Sequence, residues 1–199
     1  REKCNFVLLK NEIYQAMRHY LKNILQLLLS PVHGWEEVSR DGHVPEYIAT
    51  HGLYPLIGLA SVTYFIQGIY AVQFELVTLL QHALAVFMSL FLSFFIGKLG
   101  LETFTARYVD TGKLNVFKTD TLAAYIIGIL SVLQIVGNAL PVHTVLVYLL
   151  LVFAVIVLWK SCRYLDIAVE KETYFTAMAI GVLIAPKILL DILFSLILG

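Results

Sequence analysis

Residues 76–96 read LVTLLQHALAVFMSLFLSFFI, a run with no Asp, Glu, Lys or Arg. A bilayer hydrocarbon core of about 30 Å takes about 20 apolar residues of helix to cross. Water is absent there, so the backbone must satisfy its own hydrogen bonds, and a run of this length is a helix. Four further apolar runs lie at residues 52–71, 121–137, 142–159 and 174–198. The expected fold is therefore an all-α membrane protein with five transmembrane helices. Composition agrees: the chain of 199 residues is 59% hydrophobic and 14% charged, with a mean hydropathy of +0.81. Soluble domains run nearer half apolar and a quarter charged.

The charges between the runs fix a topology. Arg1, Lys3, Lys10, Arg18, Lys22 and Arg40 precede the first run; Lys98, Arg107, Lys113 and Lys118 follow the second; Lys160, Arg163 and Lys171 follow the fourth. The gaps at residues 72–75 and 138–141 carry no Lys or Arg. Basic loops resist translocation, so the amino terminus is expected in the cytoplasm and the carboxy terminus outside, in a multi-pass membrane protein. Thirteen of the fourteen Lys and Arg obey this rule, and Lys187 alone breaks it.

Residues 1–51 are expected to form a cytoplasmic amino-terminal segment, and residues 52–199 the five-helix transmembrane domain. Met17-Arg18-His19-Tyr20 would serve as a natural beginning, which leaves open whether residues 1–16 belong to the natural protein. Ile13, Met17, Tyr20, Leu21, Ile24 and Leu28 recur at helical spacing, with Arg18, His19, Lys22, Asn23 and Gln26 mostly on the other side. Such a stripe with a basic edge predicts an amphipathic helix over about residues 13–29, lying in the cytoplasmic interface. Ser30-Pro31 should end it, because the residue before a proline avoids helical angles. Residues 32–51 read as a polar connector, with Trp35 at headgroup depth. Gly137-Asn138-Ala139-Leu140-Pro141 reads as a hairpin turn. Within residues 98–120 a short interfacial helix is expected, ended by Asp110-Thr111-Gly112.

Polar groups inside the apolar runs are expensive in lipid and point to function. Lys187 and Asp191 stand four apart on the last helix, directly after Pro186, which should kink it. The pair is either part of an ion or substrate relay, or a self-compensating pair at a helix end with Lys187 snorkelling outward. Gln67, His82 and Gln134 fall near the outer ends of their runs. They either line a polar vestibule or form separate interhelical hydrogen bonds. Ala177, Gly181 and Ala185, four apart, form a row of small residues that would let another helix approach closely, within the chain before between chains.

His33, His43 and His51 match no metal-ligand spacing and read as solvated interfacial histidines. Asp166, Glu170 and Glu172 read as a solvated charged connection beside Lys160, Arg163 and Lys171. No phosphate loop, zincin motif or nucleophile elbow is present, so neither an enzyme nor a cofactor is expected. Without a basic stripe there is no expectation of nucleic acid. Cys4 and Cys162 both fall on the predicted cytoplasmic side, where thiols stay reduced.

One stretch carries a family likeness. Leu27-Leu28-Leu29-Ser30-Pro31 followed by Gly34-Trp35-Glu36-Glu37-Val38, with Tyr54-Pro55-Leu56-Ile57-Gly58 opening the first run, resembles bacterial members of the Yip family of multispan membrane proteins. The resemblance covers about residue 17 to the end. It implies a cytoplasmic tail followed by five spans, a place in the bacterial inner membrane, and a non-enzymatic membrane role. Eukaryotic relatives of that family are linked to Rab-type GTPases through an Asp-Leu-Tyr-Gly-Pro element. Gly52-Leu53-Tyr54-Pro55 lacks its Asp and its intervening Gly, so a Rab-binding role is not implied.

Two functions follow as expectations. The first is a scaffold or membrane-organising component, with membrane lipids and a second copy or another membrane protein as partners. The alternative is a transporter of a small solute, an ion or a lipid, using the polar groups in the outer half of the membrane. A membrane enzyme would need those groups to converge at one depth, and along the sequence they are scattered.

Overall fold

The computed structural model describes residues 2–70, 75–106, 108, 115–140 and 144–198, and side chains for 14–69, 75–106, 108, 115–140 and 151–198. Among these residues all regular structure is helical, apart from one isolated bridge residue. The elements are α1 (Glu2–Leu29), α2 (Pro31–Asp41), α3 (Pro45–Ile69), α4 (Leu76–Thr105), α5 (Val116–Ala139), α6 (Thr144–Tyr164) and α7 (Val169–Leu198). Four of them, α3, α4, α5 and α7, are long and apolar enough to cross a membrane. The helices outrun the apolar runs: α3 begins before residue 52, and α4 continues past Lys98 to Thr105 in place of a separate interfacial helix. The expected turn at Asp110-Thr111-Gly112 lies outside the described residues.

α5 is the centre. Every residue from 119 to 131 is buried, and α3, α4 and α6 pack around it. Buried residues of α5 such as Leu122, Ile126 and Ile129 meet Leu56 and Ile57 of α3, Leu90 of α4 and Val157 of α6 in one apolar core. α4 and α7 instead leave one flank open, with Leu80, Leu84, Leu92, Ile192 and Leu196 exposed. A continuous apolar flank of this kind suits lipid rather than water.

Two prolines shape α3 and α7. Residues Ala49–Leu53 and Ile180–Ile184 are π-helical, closed by Tyr54 N–H donating to the Ala49 carbonyl and Ala185 N–H to the Ile180 carbonyl. Each π turn ends two residues before a proline, Pro55 and Pro186. A proline has no N–H for the carbonyl four residues back, and its ring crowds that carbonyl. A widened turn relieves the crowding, so the expected kink at Pro186 takes the form of an inserted residue.

The segment before residue 52 is not a separate layer. α1 ends at Leu29 and α2 starts with Pro31 in its first turn, as the Ser30-Pro31 break predicts. The face of α1 bearing Tyr20, Ile24 and Leu27 is buried in the same core as the long helices. α1 therefore docks this face on protein, while Tyr14, Arg18, Lys22 and Leu25 stay exposed. Tyr20 donates to the Ala124 carbonyl at 2.7 Å. Burial, and secondarily Tyr125, holds its phenol well above the usual range, so it acts as a neutral donor. Asn23, expected on the polar face, is 2% exposed and donates to Asp41 at 2.9 Å and to the Tyr125 hydroxyl at 3.1 Å. Residues 31–41, expected as connector, form helix α2. Trp35 is buried: its indole donates to the Val157 carbonyl at 2.9 Å and stacks on Tyr164 at 5.0 Å.

The close approach of α3 and α5 to α1 depends on two glycines. A Cβ at Gly52 would stand 2.6 Å from the Tyr20 ring, and one at Gly128 would run into the Tyr20 hydroxyl, whereas one at Gly58 meets nothing within 4 Å. Gly52→Ala and Gly128→Ala should each destabilise by about 1–3 kcal/mol through overpacking. Gly58→Ala should be neutral or mildly stabilising, as alanine is in helices. Thermal unfolding in mild detergent compares the three; equal midpoints for all would refute the docking of α1 on Tyr20.

Candidate polar site within the helix bundle

At one end of the bundle, Lys98 pairs with Asp120 at 2.8 Å and Lys118 with Asp166 at 2.6 Å. Lys118, Lys160 and Arg163 line one cavity there, which brings the basic gaps together as the sidedness rule requires. Lys187 lies toward the other end, where the later halves of α3, α5 and α7 meet the first half of α4.

The Lys187 ammonium donates to the Gln134 side-chain carbonyl of α5 at 2.7 Å and also contacts the Asp191 carboxylate one turn along α7. The other Asp191 oxygen accepts from Ser89 of α4 at 2.5 Å. Gln134 donates to the Asn138 side-chain carbonyl at 3.0 Å, and Gln67 of α3 donates to the same atom at 3.2 Å. Asn138 in turn donates to the Ala60 carbonyl and the Thr63 hydroxyl, both at 3.2 Å. An unbroken chain thus runs Gln67–Asn138–Gln134–Lys187–Asp191–Ser89 across four helices. In lipid each of these groups would otherwise lack a partner, which gives the convergence its physical reason.

The predicted site residues therefore meet. Gln67, Gln134, Lys187 and Asp191 belong to the chain, and His82 joins Gln134 and Asp191 around a cavity of about 120 Å³ that Tyr64 and Ser195 also line. His82 Nδ1 sits 2.9 Å from the Thr78 carbonyl, and its ring stacks on Tyr64 at 5.3 Å. The Lys187–Asp191 pair is local, but it is not only local. Lys187 is 13% exposed and turned inward, where snorkelling was one expectation, whereas Asp191 is 39% exposed and opens on the cavity. The polar groups, scattered in sequence, converge in space.

Two members were missed. Asn138 looked like a turn residue, yet α5 continues to Ala139 and Asn138 is 2% exposed. Ser89 is fully buried and was invisible because serine is common in apolar helices. The spacing of Asn138 four residues after Gln134 was the available signal.

The row Ala177, Gly181 and Ala185 does not pack inside the chain. Ala177 and Gly181 are exposed, Ala185 is half-buried, and a Cβ at Gly181 would meet nothing within 4 Å. Close contact of α7 with α4 runs instead through Gly97 and Gly100, against Leu183 and Val182. His33 and His43 are exposed and His51 is partly exposed. His33 contacts Glu36 at 3.1 Å, while His43 and His51 each stack on Tyr47.

Asn138 uses both its acceptor and its donor, so removing it strands groups on three sides. Asn138→Leu should cost about 1–3 kcal/mol as buried partners lose their bonds. Gln67→Leu, which ends the chain, should cost less. Chemical or thermal unfolding in detergent gives the order, and a costlier Gln67→Leu would contradict the hub.

No family model matches this chain, and no curated protein or solved structure matches it.

Proposed function

We propose that this chain is an integral membrane protein that moves protons or a small cation through the polar chain centred on Lys187 and Asp191. The carrying observation is that Lys187 has two acceptors on two helices, Asp191 and Gln134. Asp191 also faces the cavity. A cation arriving at Asp191 competes with the ammonium, and Gln134 keeps Lys187 solvated as it leaves. At rest the pair is neutral, which limits the cost of holding charge in lipid.

The cavity size selects among cargoes. Pockets for organic ligands usually span about 300–1,000 Å³, and this one is about 120 Å³. A proton, or an ion with few waters, fits; a lipid or an organic solute does not. The same size argues against an enzyme.

The wider setting belongs to the proposal too: a Yip-type protein of the bacterial inner membrane with five spans, amino end inside and carboxy end outside. The 21-residue helix α6 supports a fifth span, and the charge sidedness supports the orientation.

A scaffold role is the second reading. It draws support from the exposed row at Ala177 and Gly181, which is open to a helix of another chain.

In proteoliposomes carrying an internal pH dye, wild-type protein should dissipate a proton gradient in the presence of a counter-ion. Lys187→Gln and Asp191→Asn should each slow it by about tenfold or more, equivalent to 1.4 kcal/mol in barrier. Rates unchanged in both variants would exclude this site as the path. For the scaffold reading, Gly181→Leu should abolish crosslinked dimers in membranes; dimers that persist would remove the row from any interface.

A further inference from the structure

Away from the polar chain, at the end of the bundle that bears the basic gaps, α1 and the start of α3 enclose a cavity of about 530 Å³. Its walls include Arg18, His19 and Lys22 from α1, with His43, Tyr47 and His51 from the chain entering α3. Among the described side chains no Asp or Glu lines it. The Asp41 carboxylate stands 3.5 Å from His19 and already accepts from Asn23 at 2.9 Å. Among the described residues neither Arg18 nor Lys22 makes an ion pair. Both are exposed, and they stand four apart on one helix face.

The aromatic rings are ordered against one another. His19 and His43 meet edge-to-face at 5.4 Å, and Tyr47 stacks on His43 at 5.6 Å and on His51 at 4.5 Å. The Thr50 hydroxyl donates to the Glu46 carbonyl at 2.7 Å, so His51 Nδ1 donates to that hydroxyl at 2.8 Å and faces the Tyr47 carbonyl at 3.3 Å, which fixes the ring. The cavity thus presents two permanent cations and imidazole rings around a space in the usual range for organic ligands. No group of three His, Cys, Asp or Glu among the described residues is placed to hold a metal ion.

We propose that this cavity binds a phosphate group carrying net negative charge, between the Arg18 guanidinium and the Lys22 ammonium, with His43 donating from the far wall. A guanidinium fork matches phosphate oxygens in pairs, and lysine adds a point charge. Basic pockets on the cytoplasmic side of membrane helices receive anionic headgroups in the same way. An anionic phospholipid and a soluble phosphate offer the same chemistry at this depth.

The test uses the full chain in a neutral detergent, with calorimetric titration of dioctanoyl phosphatidic acid, dioctanoyl phosphatidylcholine and inorganic phosphate. Phosphatidic acid should bind, and phosphatidylcholine should bind at least about tenfold more weakly, a difference of 1.4 kcal/mol. Arg18→Gln/Lys22→Gln should weaken phosphatidic acid by about tenfold or more, with an unchanged unfolding midpoint because both residues are exposed. His43→Ala should weaken it less, and Lys160→Gln/Arg163→Gln, around the other basic cavity, should leave it unaltered. Inorganic phosphate that displaces the lipid at similar concentration identifies a soluble ligand. Phosphate that fails to displace it identifies a lipid headgroup held also by its chains. Either result upholds the site. Absence of phosphatidic acid binding, or equal affinity in the Arg18/Lys22 variant, overturns it.

Discussion

A helix buried on all sides leaves its polar side chains no partners except neighbouring helices, and α5 is that helix. From residue 119 to 131 every residue is buried. In its middle, among the described residues, only α1 supplies polar tethers, from Tyr20 to the Ala124 carbonyl and from Asn23 to the Tyr125 hydroxyl, and the tethers to the other long helices fall at its ends. At its start Asp120 meets Lys98 of α4, and Lys118 meets Asp166. At its end Gln134 and Asn138 meet α3 and α7. The apolar middle supplies cohesion without direction, since dispersion contacts are individually weak and non-directional. Register comes from the two polar ends.

The two ends differ in chemistry, and the membrane explains why. Charges at the Lys98–Asp120 end sit where basic gaps gather, near water, and pay little for being charged. At the other end the tethers are amides and hydroxyls, with one neutralised pair among them. A free charge there would face about 2.5–3.5 kcal/mol of insertion cost near the helix centre. Neutral pairing at Lys187 and Asp191 is the form in which charge can persist at that depth.

Much of this was legible in the residues alone. Apolar length and the absence of charge located the long helices, because lipid thickness imposes one requirement on all of them. The break at Ser30-Pro31 was legible because proline acts locally. Asn23 was misplaced, and the partners of Trp35 were unreadable, for the opposite reason. An aromatic with a polar tip suits many settings, and only the arrival of α6 supplies the Val157 carbonyl that its indole reaches. Asn138 beside Gly137 carries the signature of a turn, and nothing local tells that Gln67 and Gln134 will both need its carbonyl. Gly181 and Gly97 look equivalent in sequence, yet only the neighbour of Gly97 comes close.

Lys187, the one exception to the sidedness rule, depends on backbone geometry for its partners. A π turn inserts one extra residue into a helix, and each residue of an α-helix advances about 100°. Without the insertion at Ile180–Ile184, the helix beyond it would be rotated by about that angle relative to the part before. Phe175, Ala179 and Leu183 would still face the core, but Lys187 and Asp191 would turn away from Gln134 and Ser89 toward lipid. Pro186 is what makes the wide turn favourable, because it cannot donate to the carbonyl of Val182. The proline and the buried charge are thus one device. The ring sets the register, and the register converts an otherwise costly lysine into a member of a four-helix hydrogen-bonded chain.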